Sequence, residues 1–141
     1  MKFILVKENH IDTLWPLVKD LLKKAVDYNL GEFNIEDIRI WLLNNQMNLW
    51  IIGNEDEIFL AVVTEFVIYP RETRLRIVLG GGKKNNIKKW FDIFWDKDSI
   101  IHRFAREHNV KRFEVVGREG WIKVLGRVGF KKYSTVLTRE V

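Results

Sequence analysis

The stretch "RLRIVLGGGKKNNIKKWF" at residues 74–91 contains the transition on which the fold depends. Leu75, Ile77 and Leu79 alternate against Arg74 and Arg76, which predicts a strand with one buried face and one partly open face. Three glycines, two lysines and two asparagines follow, and an amphipathic helical pattern begins directly after them. The stretch therefore predicts a passage from a strand into the N-terminus of a helix.

The glycine-rich segment at residues 80–86 has two interpretations. It could be an anion site, because the free N–H groups and partial positive charge of a helix N-terminus suit phosphate, and the lysines add charge. It could equally be an exposed connection, because turns and loops have the same composition. The spacing matches neither the P-loop nor the dinucleotide-binding glycine pattern, so both interpretations stay open on the residues alone.

The rest of the chain predicts strands flanked by helices, with a hairpin meander in the centre. The predicted elements are, in order, a strand at 2–6, helices at 12–28 and 35–45, strands at 48–53, 57–70 and 73–81, a helix at 86–108, a strand at 110–117, a helix at 120–129 and a strand at 130–141. Asp98 lies on the apolar stripe of the long helix, so a break is expected there if the helix is interrupted. This order predicts one domain over residues 1–141 with a mixed α/β sheet.

Composition and charge restrict the class of protein. The 141 residues are 47% hydrophobic and 30% charged, which is typical of a soluble globular protein. No apolar run approaches the ~20 residues of a membrane-spanning helix, and the apolar segment near the N-terminus is too short for a signal peptide. The chain has no cysteine, which fits a reducing cytoplasm, and its net charge of +5 allows an anionic partner.

Metal and nucleic-acid sites receive little support. His10, His102 and His108 have no metal-ligand spacing, so no metal site is predicted. The lysines and arginines of residues 83–106 lack a nucleic-acid recognition motif, so their charge predicts a solvated face. Six tryptophans occur throughout the chain and predict a tryptophan-rich core rather than a platform for stacking bases.

Five phrases carry a resemblance that extends over essentially the whole chain. They are "IDTLWPLVKDLLKKA", "IEDIRIWLLNN" followed by "NLWII", "AVVTEFVIYP", "LRIVLGGG" and "VGREGWIKVLGRVGF". Taken in order, they resemble the GNAT superfamily of N-acetyltransferases, and more specifically its bacteriophage and prophage branch. The resemblance implies a single-domain GNAT-like (acyl-CoA N-acyltransferase) α/β fold, with helices on both faces of a mixed central sheet. For a phage protein it implies the host cytoplasm or the virion as location.

In that superfamily the glycine-rich loop holds the pyrophosphate of acetyl-CoA. The resemblance therefore implies acetyl-CoA as co-substrate, without a metal. The residues that it assigns to the co-substrate are Leu79, Gly80, Gly81, Gly82, Lys83, Lys84, Asn85 and Asn86.

Three departures from the superfamily pattern concern catalysis more than fold. Arg76 lies four positions before Gly80, inside the strand, so the usual basic residue of the loop is missing. The tyrosine that often serves as general acid stands four residues before the glycine of a terminal "GF" pair, and Leu125 occupies that position before Gly129. Tyr133 is the nearest phenol in sequence and the candidate replacement, the alternative being an exposed strand tyrosine. The last strand reads as one long element instead of two.

Acyl transfer to an amine requires a base, N–H donors for the developing oxyanion and a proton for the departing sulfur. Glu65 is the candidate base, because a carboxylate inside an otherwise apolar strand must point to a solvated face, a partner or a cleft. The alternative is a cross-strand ion pair with Arg74 or Arg76.

Arg76, Arg118 and Trp121 are the candidate substrate-binding residues. Arg118 could bind a carboxylate or phosphate with two hydrogen bonds, and Trp121 could line a cleft or anchor its helix. The predicted function is transfer of an acetyl group from acetyl-CoA to an amine. The alternative is a catalytically degenerate GNAT-like phage protein that acts in virion assembly or binds a host protein. The acceptor and the oligomeric state do not follow from the sequence.

Overall fold

The computed structural model describes residues 1–141, and a five-stranded sheet runs through its centre. The strands are β1 (Lys2–Val6), β2 (Asn48–Gly53), β3 (Ile58–Ile68), β4 (Thr73–Gly82) and β5 (Val110–Val115). The helices are α1 (Ile11–Val26), α2 (Ile35–Leu43), α3 (Ile87–Phe94), α4 (Ile100–Glu107) and α5 (Gly120–Gly126), with a short 3-10 helix at Glu8–His10. The strands lie in chain order, and all neighbours are antiparallel except β4 and β5, which are parallel. This mixed sheet confirms the predicted fold class.

Helices cover both faces of the sheet and produce two hydrophobic cores. On the α1 face, α1 and α2 bury a cluster that includes Val18, Leu22 and Ile38. On the α3 face, α3 and α4 bury a second cluster around Trp50 and Phe94. Four of the six tryptophans are buried, which confirms the tryptophan-rich core: Trp15, Trp50, Trp90 and Trp95. No helix is both long and apolar enough to cross a bilayer.

Short-range hydrogen bonds form the cap of α2 and the turn between β2 and β3. Asn34 caps α2 by a reciprocal pair of hydrogen bonds with Asp37, in which each side chain accepts from the other residue's backbone N–H. In the hairpin between β2 and β3, the Asn54 side chain accepts hydrogen bonds from the N–H groups of Asp56 and Glu57. These local bonds fix where α2 starts and where β2 turns back.

The long helix expected at residues 86–108 is two helices. The Asp96 side chain accepts from the Asp98 N–H, and its carbonyl accepts from the Ser99 N–H, so a tight turn separates α3 from α4. An aspartate that bonds its own backbone two residues ahead competes with helix formation. The break therefore falls where Asp98 interrupts the apolar stripe.

The strand expected at residues 130–141 was wrong. Residues 131–141 make no backbone hydrogen bond and belong to no strand. Most of their side chains are exposed, with Leu137 exposed by 89%, so no buried surface offsets the entropy of ordering an extra strand. As a result, β5 is an edge strand paired only with β4.

Candidate active site

The two parallel strands, β4 and the edge strand β5, separate halfway along β4. Their pairing runs from Thr73 opposite Val110 to Ile77 opposite Val115 and then stops. Residues 78–82 of β4 continue alone beside β3, while the chain after β5 turns away towards α5. We call the gap between residues 78–82 and 116–118 the wedge. Along residues 78–82, the side of β4 that faces β5 has no strand opposite it.

A β-bulge lies at the point where the wedge opens. Val63 pairs with Leu79 and the next residue, Thr64, pairs with Ile77, so Val78 is an extra residue in β4. A bulge increases local twist and leaves the extra residue out of the ladder. The sheet is thus bent where the backbone of β4 is most accessible from the β5 side.

The three glycines are the last residues of β4, and the connection to α3 consists of residues 83–86 alone. A Cβ added to Gly81 would lie 1.9 Å from the carbonyl oxygen of Leu21 in α1. The absence of a side chain at Gly81 therefore lets α1 pack directly on the strand. Gly80 has ordinary space around it, with the nearest atom at 3.8 Å. Leu79 is buried in the core of the α1 face, so its side chain is not available to a ligand.

The connection between β4 and α3 has an open, basic surface. Asn86 adopts the left-handed conformation, with φ of 65°, and its side chain does not cap α3. The first N–H groups of α3 therefore have no side-chain partner from the cap position. Lys84, Asn85 and Lys88 are exposed around this helix end, whereas Lys83 forms an ion pair with Glu57.

Trp90, in the first turn of α3, has an unusual polar atom. Its indole stacks on Phe59 at 4.5 Å between ring centroids, and the Phe59 carbonyl accepts a hydrogen bond from the Lys83 N–H. The indole Nε1 is buried and has no hydrogen-bond partner. A buried N–H group without a partner costs free energy. The Trp90 Nε1–H group, which lies beside the connection, is such a group.

Glu65 and Arg76 meet on the α1 face, next to the bulge. Arg76 Nη1 lies 3.4 Å from Glu65 Oε1, and Arg76 Nε lies 2.7 Å from Glu114 Oε2. The arginine thus bridges carboxylates from β3 and β5, the strands on either side of it. The structure contains the cross-strand ion pair that was the alternative for Glu65, but the long 3.4 Å contact leaves that carboxylate loosely held.

The centre of this network is Glu114, which was not among the predicted site residues. Its carboxylate also accepts hydrogen bonds from the Tyr69 hydroxyl at 2.9 Å and from Arg74 at 3.0 Å. Partial burial would raise the pKa of Glu114, but the hydrogen bonds from Arg76, Tyr69 and Arg74 together hold that pKa below its usual value. A carboxylate held ionised in this way is a weak base. The signal in the sequence was a single acid between the apolar residues Phe113 and Val115 of a predicted strand.

Trp121 and Arg118 lie on the β5 side of the wedge. The Trp121 ring packs edge-on against Phe91 of α3, with 5.6 Å between centroids, and a Cβ at Gly117 would touch it. Trp121 therefore both anchors α5 and lines the space between α5 and α3. Arg118 projects instead towards the end of α1, where its guanidinium lies over the ring of Tyr28.

Leu125, which occupies the position expected for the general acid, and Tyr133, its candidate replacement, are both outside the residues that border the wedge. Leu125 is only 8% exposed on α5 and is part of the core. Tyr133 is 87% exposed, and its ring centroid is 5.9 Å from the Arg74 guanidinium. No three acidic or histidine side chains come together as a group that could hold a metal ion.

Known proteins match this chain by structure and not by sequence. No protein-family model and no curated protein sequence matches it. A predicted acetyltransferase from Clostridium acetobutylicum, solved with acetyl-CoA, is similar with a TM-score of 0.66 and 15% identity, over 99% of this chain and 95% of that one. A GNAT family acetyltransferase from Staphylococcus aureus gives 0.64 and 17%, over 100% of both chains. An aminoglycoside acetyltransferase from an uncultured soil metagenomic sample gives 0.71 and 14%, over 99% and 94%.

These matches span the full sheet and the helices on both of its faces. At identities of 14–17% they establish fold. The chain therefore has the α/β fold of the GNAT acetyltransferases.

Proposed function

We propose that this chain transfers an acetyl group from acetyl-CoA to an amine. The observation that carries the proposal is the wedge, where β4 leaves β5 at a bulge beside the Glu65–Arg76 pair. The fold, shared with an acetyltransferase solved with acetyl-CoA, supports the same function.

The surface around the β4–α3 connection fits the phosphates of a CoA ester. The uncapped N-terminus of α3 offers backbone N–H donors, and Lys84 and Lys88 supply positive charge. Gly82 and residues 83–86 would hold the pyrophosphate. When bound, acetyl-CoA supplies an activated acetyl thioester. The wedge leads from this connection into the sheet, and Trp121 would shield it from water.

Glu65 is assigned the role of base. An amine acceptor is protonated at neutral pH and must lose a proton before it can attack a carbonyl group. The Glu65 carboxylate is held by a single long contact to Arg76, whereas Glu114 is fixed by three donors. Glu65 is therefore the more available of the two carboxylates, either directly or through one water.

The proposal includes a slow rate, because Leu125 occupies the position expected for the phenol that would protonate the departing thiolate. General acid catalysis typically contributes 10²–10⁴-fold, and a thiolate needs less help than an alkoxide, so a deficit of roughly 10²-fold is expected. Tyr133 is the remaining candidate for this proton, from an exposed position. Loss of turnover in Tyr133→Phe would assign it that role.

Thermal denaturation with acetyl-CoA tests the proposal. At about 100 times its dissociation constant, a ligand stabilises the folded state by roughly 2.7 kcal/mol, which raises the melting temperature of a domain of this size by several degrees. The variant Lys84→Ala, Lys88→Ala should weaken binding. Lys111→Ala, which removes an exposed and unpaired lysine of β5, is the matched control and should not. No shift at millimolar acetyl-CoA would refute the proposal.

A second candidate is a catalytically degenerate GNAT-like protein that acts by binding, in a phage particle or on a host protein. Two observations favour it: Leu125 replaces the acid, and residues 131–141 expose the apolar side chains of Tyr133, Val136 and Leu137. Co-purification with virions or with one host protein, together with absent turnover, would support this function over acetyl transfer.

A further inference from the structure

Arg118 joins two elements on opposite sides of the wedge. It follows β5 by three residues, whereas Tyr28 follows the end of α1, which packs on β4. The guanidinium carbon lies 3.6 Å from the centroid of the Tyr28 ring. The Asn29 side chain accepts from the Gly31 N–H and donates to the Phe33 carbonyl, so the segment that carries Tyr28 has a defined shape.

The stacked guanidinium keeps its hydrogen-bond donors. In such a contact, the flat face of the guanidinium lies on the face of the aromatic ring. The N–H groups of arginine point outward in the plane of the guanidinium and do not take part in the contact. The Arg118 side chain makes no hydrogen bond and no ion pair in the structure. Its donors are therefore both orientated and free.

Arg118 differs in this respect from the other arginines nearby. A cleft of about 1510 Å³ runs along the outer edge of β5, and four arginines line it. Arg74 and Arg76 are paired with Glu114, and Arg112 is paired with Glu72. Of these four arginines, only Arg118 is not paired with a carboxylate of the chain.

We propose that Arg118 binds a carboxylate of the acetyl acceptor, so that the acceptor class is amines that also carry a carboxylate. This inference rests on the proposed function. The planar fork of arginine matches the two oxygens of a carboxylate. A singly charged carboxylate is favoured over a dianionic phosphate, because Glu119 adjoins Arg118 and Glu114 lies in the same cleft. Tyr28 is a positioning residue, which stacks on the guanidinium and holds it in place.

A matched pair of probes tests the charge requirement without depending on turnover. N-acetylglycine carries the carboxylate, and N-acetylglycinamide has the same shape without the charge. Dissociation constants would be measured by NMR in the presence of CoA, following the arginine side-chain Nε–H signals. The wild type should bind the acid roughly tenfold or more tightly than the amide, because hydrogen bonds between charged groups are the strong ones.

Variants distinguish a specific role of Arg118 from a general effect of positive charge on carboxylate binding. Arg118→Ala should abolish the preference for the acid, and Arg118→Lys should keep only part of it, since a lysine has charge without the fork. Arg71→Ala is the matched control, because Arg71 is exposed and lies in the turn between β3 and β4. Tyr28→Phe should keep the preference, and Tyr28→Leu should reduce it, with acetyl-CoA affinity unchanged in both.

The outcomes distinguish this inference from the proposed function. If the wild type binds acetyl-CoA but shows no preference for N-acetylglycine, the carboxylate assignment is overturned and the proposed function stands. If Arg118→Ala weakens acetyl-CoA binding and leaves the preference intact, Arg118 serves the co-substrate and the assignment is likewise overturned. If the wild type does not bind acetyl-CoA at all, the proposed function itself fails.

Discussion

Replacement of Gly81 by alanine should destabilise the fold without any ligand being present. The added Cβ would lie 1.9 Å from the Leu21 carbonyl oxygen, and real Cβ atoms do not approach closer than 3.0 Å, so α1 and β4 must separate by about 1.1 Å. Leu22, the next residue of α1, is fully buried, so this shift would also disturb the core.

The expected cost lies at the upper end of the range for overpacking, about 3 kcal/mol, less roughly 0.5 kcal/mol because alanine reduces the entropy of the unfolded chain. At roughly 4 °C per kcal/mol for a domain of this size, the melting temperature should fall by about 10 °C. Differential scanning calorimetry of the two proteins without acetyl-CoA measures this directly.

Gly80→Ala is the matched control, since its added Cβ would be 3.8 Å from the nearest atom. It should melt within about 2 °C of the wild type, or slightly higher. Gly81→Ala melting within the same interval would refute the close packing of α1 on β4. Reduced acetyl-CoA binding by a normally stable Gly80→Ala would show that the ligand, and not the fold, needs that glycine.

Two further perturbations follow from the structure. Glu114→Gln should lower the melting temperature most at neutral pH. The hydrogen bonds that hold the pKa of Glu114 below its ordinary value of 4.5 contribute stability above that pH, and this stability is lost as the pH falls through the lowered value. The difference from the wild type should therefore narrow between pH 6 and pH 3, and a constant difference would contradict the account. Removal of residues 131–141 should cost less than about 1 kcal/mol, because they make no backbone hydrogen bonds and their ion pair, Lys132 with Glu119, is exposed. A fall of more than about 5 °C on this truncation would mean that the segment pairs with β5 in solution.

Features encoded within a few residues were predictable from the sequence, and features that need distant partners were not. The Asn34 cap and the Asn54 turn involve partners three residues away or fewer, so their signals are complete in the sequence. Glycine is required at position 81 because of the Leu21 carbonyl in α1, which lies about sixty residues earlier in the chain.

The same limit applies to the candidate site. Glu65 and Arg76 could be suggested as a pair because both lie in the predicted meander. Glu114 becomes the centre of the network only through the parallel register of β5 on β4, which the alternation of residues does not specify. The prediction of a final strand was wrong because its apolar residues form a strand only where a partner strand is present. The sequence does not reveal whether such a partner is present.

The bulge at Val78 also separates two parts of the protein energetically. In a regular strand, Ile77 and Leu79 would lie on the same face and share neighbours. Here Ile77 belongs to the core on the α3 face and Leu79 to the core on the α1 face. Substitutions at these two positions should consequently add independently in the free energy of unfolding, as distant sites do, although only one residue lies between them. One extra residue thus places Ile77 and Leu79 of a single strand in two separate cores.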